Sequence, residues 1–446
     1  MLVGGGDWDP PAIRSHPDHD QVVAHPGLLP QLIEQGRELF TAKFTEADGA
    51  GRPAATGDSK PTPRSAANAV AMTRTAGPDA MACDSCHNQP TTGGSGDFAA
   101  NVFVGAHFSD PPTVRIDRET TNERNTIGLF GSGLIELLAR EMTAELSTRR
   151  AKGLAEAARQ RAAVRIPLSA KGISFGAIVA QPDGTIDAKD LAGVDYDLVV
   201  RPFGVKGIAA SLREFSIAAL NQHHGMEAVE RFGWERTGLR DFDGDGVEEE
   251  VSVGQVTALV VFQAQLPAPR QVLDADARQR DVEMLGREVF GQVGCTSCHI
   301  PSLPLSDLVF REPSPFNRPG SITPRDVSGT VDVDLTAANG GDHAVHAYTD
   351  LKRHNLCDAK IRHFCNEERR QDNVATELFL TAKLWDAATS APYGHRGDLR
   401  TLSAAILNHG GEASRQREAF LALPENQKRA VIAFLRTLGR PGPPAP

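Results

Sequence analysis

Two copies of the pattern Cys-x-x-Cys-His constrain this chain more than any other feature of its sequence. The first copy spans residues 83–87 and the second spans residues 295–299. Positions i, i+3 and i+4 of a helical turn share one face, so both thiols can meet the vinyl groups of one porphyrin while the histidine reaches its iron. The pattern predicts two covalent haem c groups, with these attachment and proximal-ligand residues: Cys83, Cys86, His87, Cys295, Cys298 and His299.

Three other interpretations of these cysteines fit less well. A zinc ribbon also pairs two Cys-x-x-Cys turns, but they usually lie ~15–20 residues apart. Here more than two hundred residues separate the two copies. A thioredoxin-like redox pair would follow a strand, and neither copy does so. Ordinary disulfide formation would not require a histidine directly after both copies.

Composition places the chain among globular proteins that bury a sizeable core. Of its 446 residues, 40% are hydrophobic and 23% are charged, which is ordinary for a soluble protein of more than one domain. The net charge of −10 and the lack of a basic run exclude nucleic acid as an expected partner. The longest mostly apolar stretch, residues 256–262, is too short to span a bilayer.

The two remaining cysteines bear on the compartment. Cys357 and Cys365 either form a bridge that closes a short loop or stay as two buried thiols. Haem c is attached outside the cytoplasm, so we predict a periplasmic protein. The chain starts Met1-Leu2-Val3-Gly4 without the basic and apolar regions of a signal peptide, and we expect the precursor to carry one.

A short internal repeat indicates two similar domains. Residues 36–40 read Gly-Arg-Glu-Leu-Phe and residues 286–290 read Gly-Arg-Glu-Val-Phe, and each ends an amphipathic segment typical of a helix. Pro-rich residues 266–269 mark a boundary. We predict a mainly α fold with two cytochrome c-like helical domains and long loops. The domain bounds are an extended lead-in at 1–27, an N-terminal domain at 28–268 and a C-terminal domain at 280–440.

Several further segments carry a family resemblance. They are residues 124–126, 223–226, 348–355, 384–385, 391–397, 401–406 and 409–413. Together they resemble the di-haem oxidoreductase (putative peroxidase) family, which is related to bacterial di-haem cytochrome c peroxidases. The resemblance implies that one haem accepts electrons from a small cytochrome c or cupredoxin, while hydrogen peroxide reacts at the other.

The second site departs from these relatives. Where they often supply a methionine ligand, this chain has Gly394 and, at a second matching position, Leu356. We therefore take His354 and His395 as candidate distal ligands and catalytic residues, with His354 the stronger. The alternatives are a hydrogen bond from His354 to a haem propionate and one from His395 to a backbone carbonyl.

For the first site, the resemblance favours His107 as distal ligand and catalytic residue. The adjacent pair His223 and His224 is the other source, with His224 as the candidate ligand. A surface histidine is the alternative for His107.

Two features lie outside the haem motifs. Asp241, Asp243 and Asp245 occupy positions 1, 3 and 5 of a calcium-loop pattern, but position 12 is Ser252, so a glutamate within 248–250 would have to close the site. An acidic surface turn is the alternative. Trp234 is either an electron relay between the haems or a core residue.

These inferences lead to one predicted function and two rivals. The predicted function is a periplasmic di-haem c-type oxidoreductase that reduces hydrogen peroxide with electrons from a small redox protein. One rival is oxidation of a larger or protein-borne substrate by high-valent haem, and the other is a plain electron-transfer cytochrome.

Overall fold

The helices of the chain fall in two groups around the two Cys-x-x-Cys-His motifs. The computed structural model describes residues 11–13, 16–51, 80–97, 99–103, 121–367 and 370–439. The helices are α1 (His19–Ala24), α2 (Leu29–Thr41), α3 (Ser132–Gln160), α4 (Leu212–Ala219), α5 (Val229–Phe232), α6 (Trp234–Thr237), α7 (Val253–Ala264), α8 (Ala277–Gln292), α9 (Leu402–Leu407), α10 (Ser414–Leu421) and α11 (Glu425–Leu435).

The strands are short. They are β1 (Ala99–Phe103), β2 (Thr121–Asn125), β3 (Val164–Ala170), β4 (Ile173–Ala180), β5 (Ile186–Asp187), β6 (Leu303–Pro304), β7 (Val309–Glu312), β8 (Val331–Asp334), β9 (Ala344–Val345), β10 (Arg353–Asn355) and β11 (Leu378–Leu380). Their sheets are β3-β4-β5 and four antiparallel pairs, β1-β2, β6-β9, β7-β8 and β10-β11.

The prediction of a mainly α fold is wrong. The chain is 38% helical and 14% strand, which makes it a mixed α/β protein. The reason is that the segments predicted as long loops pair with each other as ribbons. Most of these strands have two to five residues, which is too short to produce a recognisable alternation of apolar and polar side chains.

The hairpin of β3 and β4 is the longest strand pair. Its turn residues, Lys171 and Gly172, both have positive φ, of 50° and 80°, as the favoured two-residue hairpin turns require. The strands carry β-branched residues, and their buried side chains face α3, which lies against them. The hairpin therefore covers one side of the longest helix.

Helix pairs repeat between the two halves. In the first pair, Gly36 of α2 lies against α7, and a Cβ at this glycine would be 2.0 Å from the carbonyl oxygen of Ala258. In the second pair, Gly286 of α8 has the same relation to Ala430 of α11, at 1.9 Å. Only glycine permits so close an approach of two backbones. The glycines of the sequence repeat thus set the crossing point of both pairs.

The helices that flank the motifs agree with the sequence prediction, with one break. The C-terminal helical segment is divided into α10 and α11, because Pro424 lies between them as the N-cap of α11.

The apolar core does not divide where the domains were expected to meet. The larger cluster joins α2, α3, α4 and α7 to segments that follow the second motif, among them Phe310, Val333 and Trp385. A smaller cluster, with Phe290 and Phe434 at its centre, surrounds the second motif. The domain bounds at 268 and 280 therefore stay a prediction.

Candidate functional site

The first Cys-x-x-Cys-His motif forms a 3₁₀ turn at Cys83–Ser85 that packs against α2. The His87 Nδ1 donates to the carbonyl oxygen of Gly94 at 3.3 Å, which leaves Nε2 available to a metal. Burial lowers the pKa of His87 to about 4 and raises the pKa of Cys83 to about 12. The imidazole is therefore neutral, as an iron ligand must be.

The second motif repeats this arrangement at Cys295–Ser297. The His299 Nδ1 donates to the carbonyl oxygen of Tyr348 at 3.0 Å, and burial lowers the pKa of His299 to about 4. Burial also raises the pKa of Cys295 to about 11. A hydrogen bond from Nδ1 to a backbone carbonyl fixes the tautomer and orientation of a ligating imidazole.

A phenylalanine of the repeated helix flanks each histidine. The ring of Phe40 lies 6.2 Å from that of His87, and the ring of Phe290 lies 6.4 Å from that of His299, with interplanar angles of 50° and 49°. Each site therefore has a helix pair of the same kind, a phenylalanine beside the histidine and a histidine whose Nδ1 donates to a backbone carbonyl.

One continuous cavity of about 440 Å³ contacts both motifs. Its walls include Cys83, His87, Cys298 and His299, and also the segments 382–384 and 393–395. Because a porphyrin needs an apolar pocket with paired thiols and a neutral imidazole, the residues present fit one haem at each motif.

A histidine that the sequence analysis did not select faces the second motif. The ring centres of His409 and His299 are 6.5 Å apart, and the His409 Nδ1 donates to the carbonyl oxygen of Ala405 at 2.7 Å. An iron bonded to two imidazoles at about 2 Å separates their ring centres by roughly 6 Å. The pair thus has the spacing at which both imidazoles would hold one iron.

A second internal repeat could have identified His409. Residues 212–221 read LREFSIAALN, residues 399–408 read LRTLSAAILN, and His-Gly-x-Glu-Ala follows shortly after each. In the first half two further residues intervene, and the chain forms a π-helical turn at Leu220–His224. This repeat aligns His409 with His224.

His354 lies beside the second motif, but both of its ring nitrogens have partners. Nδ1 lies 2.8 Å from Glu412 Oε2 and Nε2 lies 2.8 Å from Asp350 Oδ2. Burial alone would lower the pKa of His354, but hydrogen bonds to Asp350, Cys298 and Glu412 outweigh it and raise the pKa to about 11. The ring is a cation next to Cys298, so ligation by His354 stays a prediction that this placement does not favour.

His395 is buried on the cavity wall. Its Nε2 lies 2.9 Å from Asn366 Oδ1, and its ring centre lies 4.8 Å from that of Phe379. Burial, together with the positive charges of Arg124 and Lys206, lowers the pKa of His395 to about 2. Nδ1 has no hydrogen-bond partner among the described residues. The ring is neutral, and the proposed ligand role remains untested.

The first site is described only in part. His107 lies outside the described residues. His224 places Nε2 at 3.7 Å from Cys83 Sγ and donates from Nδ1 to the carbonyl oxygen of Ala80 at 2.8 Å, and burial lowers its pKa to about 4. His223 lies near enough to His87 that its charge lowers the pKa of the latter. Of the adjacent pair, His224 therefore borders the thiol.

Three other predicted features can be located. Trp234 is 56% exposed on α6, which does not suit a relay inside the cavity. Gly394 and Leu356 both line the cavity. Cys357 and Cys365 form a disulfide, which is the first of the two alternatives that the sequence left open.

The predicted calcium residues form a surface loop. Asp241, Asp243 and Asp245 place one carboxylate oxygen each within 4.8 Å of the others, and Asp243 does so also with Glu227 and Glu250. Burial and the neighbouring carboxylates raise the pKa of Glu250 to about 10.

No helix among the described residues is long and apolar enough to cross a membrane.

Comparisons with solved structures give weak similarities. Hydrazine synthase of Kuenenia stuttgartiensis, from a crystal pressurised with xenon, is 13% identical with a TM-score of 0.38, and the match covers 98% of both chains. A MauG-like protein associated with microbial copper homeostasis is 15% identical with a TM-score of 0.28, covering 74% of this chain and 93% of that one. No curated protein matches the sequence.

The family comparison is stronger. The family model described as "di-haem oxidoreductase, putative peroxidase" matches residues 153–438. The match covers more than half of the chain and includes the second Cys-x-x-Cys-His motif, whereas the first motif lies before its start. This match confirms the resemblance carried by the sequence segments, and the chain belongs to the di-haem oxidoreductase family.

Proposed function

We propose that this chain is a periplasmic di-haem c-type oxidoreductase that reduces hydrogen peroxide with electrons from a small cytochrome c or cupredoxin. The observation that supports the proposal most is the single cavity reached by both motifs, each with paired cysteines and a neutral histidine. One haem would be bonded to Cys83 and Cys86 and the other to Cys295 and Cys298.

The haems would supply two irons for electron storage and peroxide reduction, in which H₂O₂ takes up two electrons and two protons to give two waters. The chain's own residues position and shield them. Hydrogen bonds to the Gly94 and Tyr348 carbonyls hold the two proximal imidazoles, and a phenylalanine of each helix pair lies beside the ring.

The proposed division of labour rests on His409. His299 and His409, whose ring centres are 6.5 Å apart, would together hold the second haem iron, which would then serve electron transfer. The first haem, held by His87, would then supply the chemistry of peroxide reduction. We infer that His409, and not a methionine, completes the second site.

Asp386 is a candidate source of protons. This buried carboxyl lines the cavity, and burial raises its pKa to about 6 in spite of the nearby Lys383 charge. A carboxyl with such a pKa exchanges its proton near neutral pH. We propose that Asp386 delivers protons to the cavity during peroxide reduction.

The disulfide supports the periplasmic assignment. Cys357 and Cys365 are bridged, and such bridges persist in oxidising compartments and are rare in the cytosol. Haem c attachment would take place in the same compartment.

The test uses the purified holoprotein. We expect two haems per chain that resist acid–acetone extraction, and one haem in each of the Cys83→Ala/Cys86→Ala and Cys295→Ala/Cys298→Ala variants. Extractable haem, or a single haem in the unmodified chain, contradicts the proposed attachment.

Activity is then measured as oxidation of a reduced small cytochrome c by hydrogen peroxide. We expect turnover that is lost in both cysteine double variants. No turnover and no cyanide binding by the half-reduced protein would instead indicate an electron-transfer cytochrome. Oxidation of an added protein with no turnover of the cytochrome would indicate the rival that acts on a protein-borne substrate.

A further inference from the structure

The acidic loop, residues 241–250, is the strongest candidate for a second kind of site. Its two glycines, Gly244 and Gly246, adopt positive φ of 76° and 99°, and this allows the loop to curl around its own carboxylates. Asp241 accepts from the backbone N–H groups of Gly244 and Gly246 at 2.7 and 3.0 Å. An acidic turn of this kind is common on protein surfaces and does not by itself indicate a ligand.

Glu250 supplies the observation that the turn alone lacks. Its side chain is only 8% exposed, and its Oε1 is buried without a hydrogen-bond partner among the described residues. The other oxygen, Oε2, accepts from the backbone N–H of Glu227 at 2.6 Å. Burying a carboxyl oxygen without a donor is costly, and Oε1 has neither a donor nor a cation among the described protein atoms, so it is available to a bound ion.

The Glu250 carboxyl group lies within the carboxylate group and not apart from it. Ligand oxygens of Glu227, Asp243 and Glu250 lie within 4.8 Å of one another. Asp243 also belongs to the group formed with Asp241 and Asp245. Oxygens bound to one Ca²⁺ at 2.3–2.6 Å are at most about 5 Å apart. Both groups therefore have the spacing of calcium ligands, and Asp243 belongs to both.

The loop's basic neighbour does not neutralise this group. Arg240 pairs at 2.6 Å with Glu249, the exposed residue adjacent to Glu250. Glu250 instead packs against Gly49, where a Cβ would lie 2.3 Å from the carboxyl carbon. The Glu250 carboxyl group is therefore packed against the backbone at Gly49.

We propose that one Ca²⁺ binds between the acidic loop and the segment that follows His224, held by five carboxylates: Asp241, Asp243, Asp245, Glu227 and Glu250. All donors are oxygens, which favours a hard cation over zinc or copper. Their number suits Ca²⁺, whereas Mg²⁺ requires near-octahedral geometry and retains most of its water.

This ligand set identifies the glutamate that closes the calcium loop, which the sequence pattern left open. The closing carboxylate is Glu250, at position 10 of the loop, and Glu227 adds a ligand from outside it. Val251 pairs with Ala228 in a parallel bridge, which brings the two segments together. The cation would thereby fasten the loop to the segment that carries His223 and His224.

The experiment measures calcium in the purified holoprotein by mass spectrometry after gel filtration, and then titrates chelated protein with CaCl₂ by calorimetry. We expect one Ca²⁺ per chain and a higher melting temperature with calcium than with EGTA. No bound calcium together with an unchanged melting temperature would overturn the proposal. Equal or tighter binding of MgCl₂ would overturn the assignment to calcium.

Three variants test the ligand set. Asp243→Asn and Glu250→Gln should each weaken calcium binding at least tenfold, because each replaces a charged ligand with an amide of the same shape. The matched control is Glu249→Gln, which changes the same charge one residue away and should bind calcium as the unmodified chain does. Unchanged affinity in Glu250→Gln, or an equal loss in Glu249→Gln, would contradict the proposed coordination.

Discussion

The two Cys-x-x-Cys-His sites rest on the same framework but have different polar neighbours. In each, a glycine-crossed helix pair positions a phenylalanine about 6 Å from the histidine ring, at 6.2 Å for His87 and 6.4 Å for His299. Beside Cys83 stands His224, a neutral ring that donates to a backbone carbonyl. Beside Cys298 stands His354, a cation between two carboxylates.

This difference indicates where the two halves have diverged. Helix packing tolerates little change, because a backbone contact of this kind admits only glycine. The polar residues around the cavity come from loops and short ribbons, which can change without altering the helix pairs. Two sites with one framework can therefore differ in the charge and the ligand next to each iron.

The largest expected effect concerns the second site alone. In His409→Ala, the imidazole opposite His299 is removed, so we expect the second haem to change from low spin to high spin. The matched control is His354→Ala, which removes a buried histidine of the same cavity and should leave the spin state unaltered. Absorption and electron paramagnetic resonance spectra measure the result. A spin change in His354→Ala with none in His409→Ala would restore His354 as the ligand.

The shared framework predicts equal sensitivity at the two crossing points. Gly36→Ala and Gly286→Ala would each place a Cβ at about 2 Å from a carbonyl oxygen, so we expect each to lower the free energy of unfolding by about 1–3 kcal/mol. Gly291→Ala, in the last turn of α8 with open space around it, is the control and should not destabilise. Thermal melts of all three variants test whether the two helix pairs are equivalent. A loss of stability in only one of the two pairs would show that they are not.

The disulfide is a feature of the second half alone. Cys357 and Cys365 close a loop with a sequence separation of 8, and the chain-entropy model gives about 2–3 kcal/mol for so short a loop, with wide scatter. We expect the double variant Cys357→Ser/Cys365→Ser to unfold at a lower urea concentration than the unmodified protein. An identical midpoint would mean that strain in the folded bridge cancels its effect on the unfolded chain.

The smallest expected effect is a contrast in pH dependence. The pKa of His354 is raised to about 11, so its contribution to stability is complete below its ordinary pKa and is lost as the pH rises towards 11. The pKa of His224 is lowered to about 4, so its contribution is present above its ordinary pKa and is lost as the pH falls towards 4.

Two glutamine variants measure this contrast. His354→Gln should lower stability on the order of 1 kcal/mol near pH 6, with the difference shrinking at higher pH. His224→Gln should show a deficit that shrinks as the pH falls instead. Urea melts at several pH values give both curves, and parallel curves for the two variants would show that the two histidines are alike in charge.

The parts of this protein that the sequence could predict depend on short-range patterns. The Cys-x-x-Cys-His spacing, the amphipathic helices around each motif and the family resemblance are all contained in neighbouring residues. The proportion of strand was missed, because ribbons such as β10-β11 join residues that lie far apart along the chain and are too short to have a period.

The sequence alone determined that two thiol pairs with adjacent histidines would each form a similar helical site, because that information is carried by residues within one turn of each other. Tertiary structure decided the neighbours of those sites. Loop and ribbon packing turned His354 towards Asp350 and Glu412, brought His409 opposite His299 and set Glu250 beside Asp243. Such contacts depend on how distant segments pack against each other, which no local pattern of residues specifies.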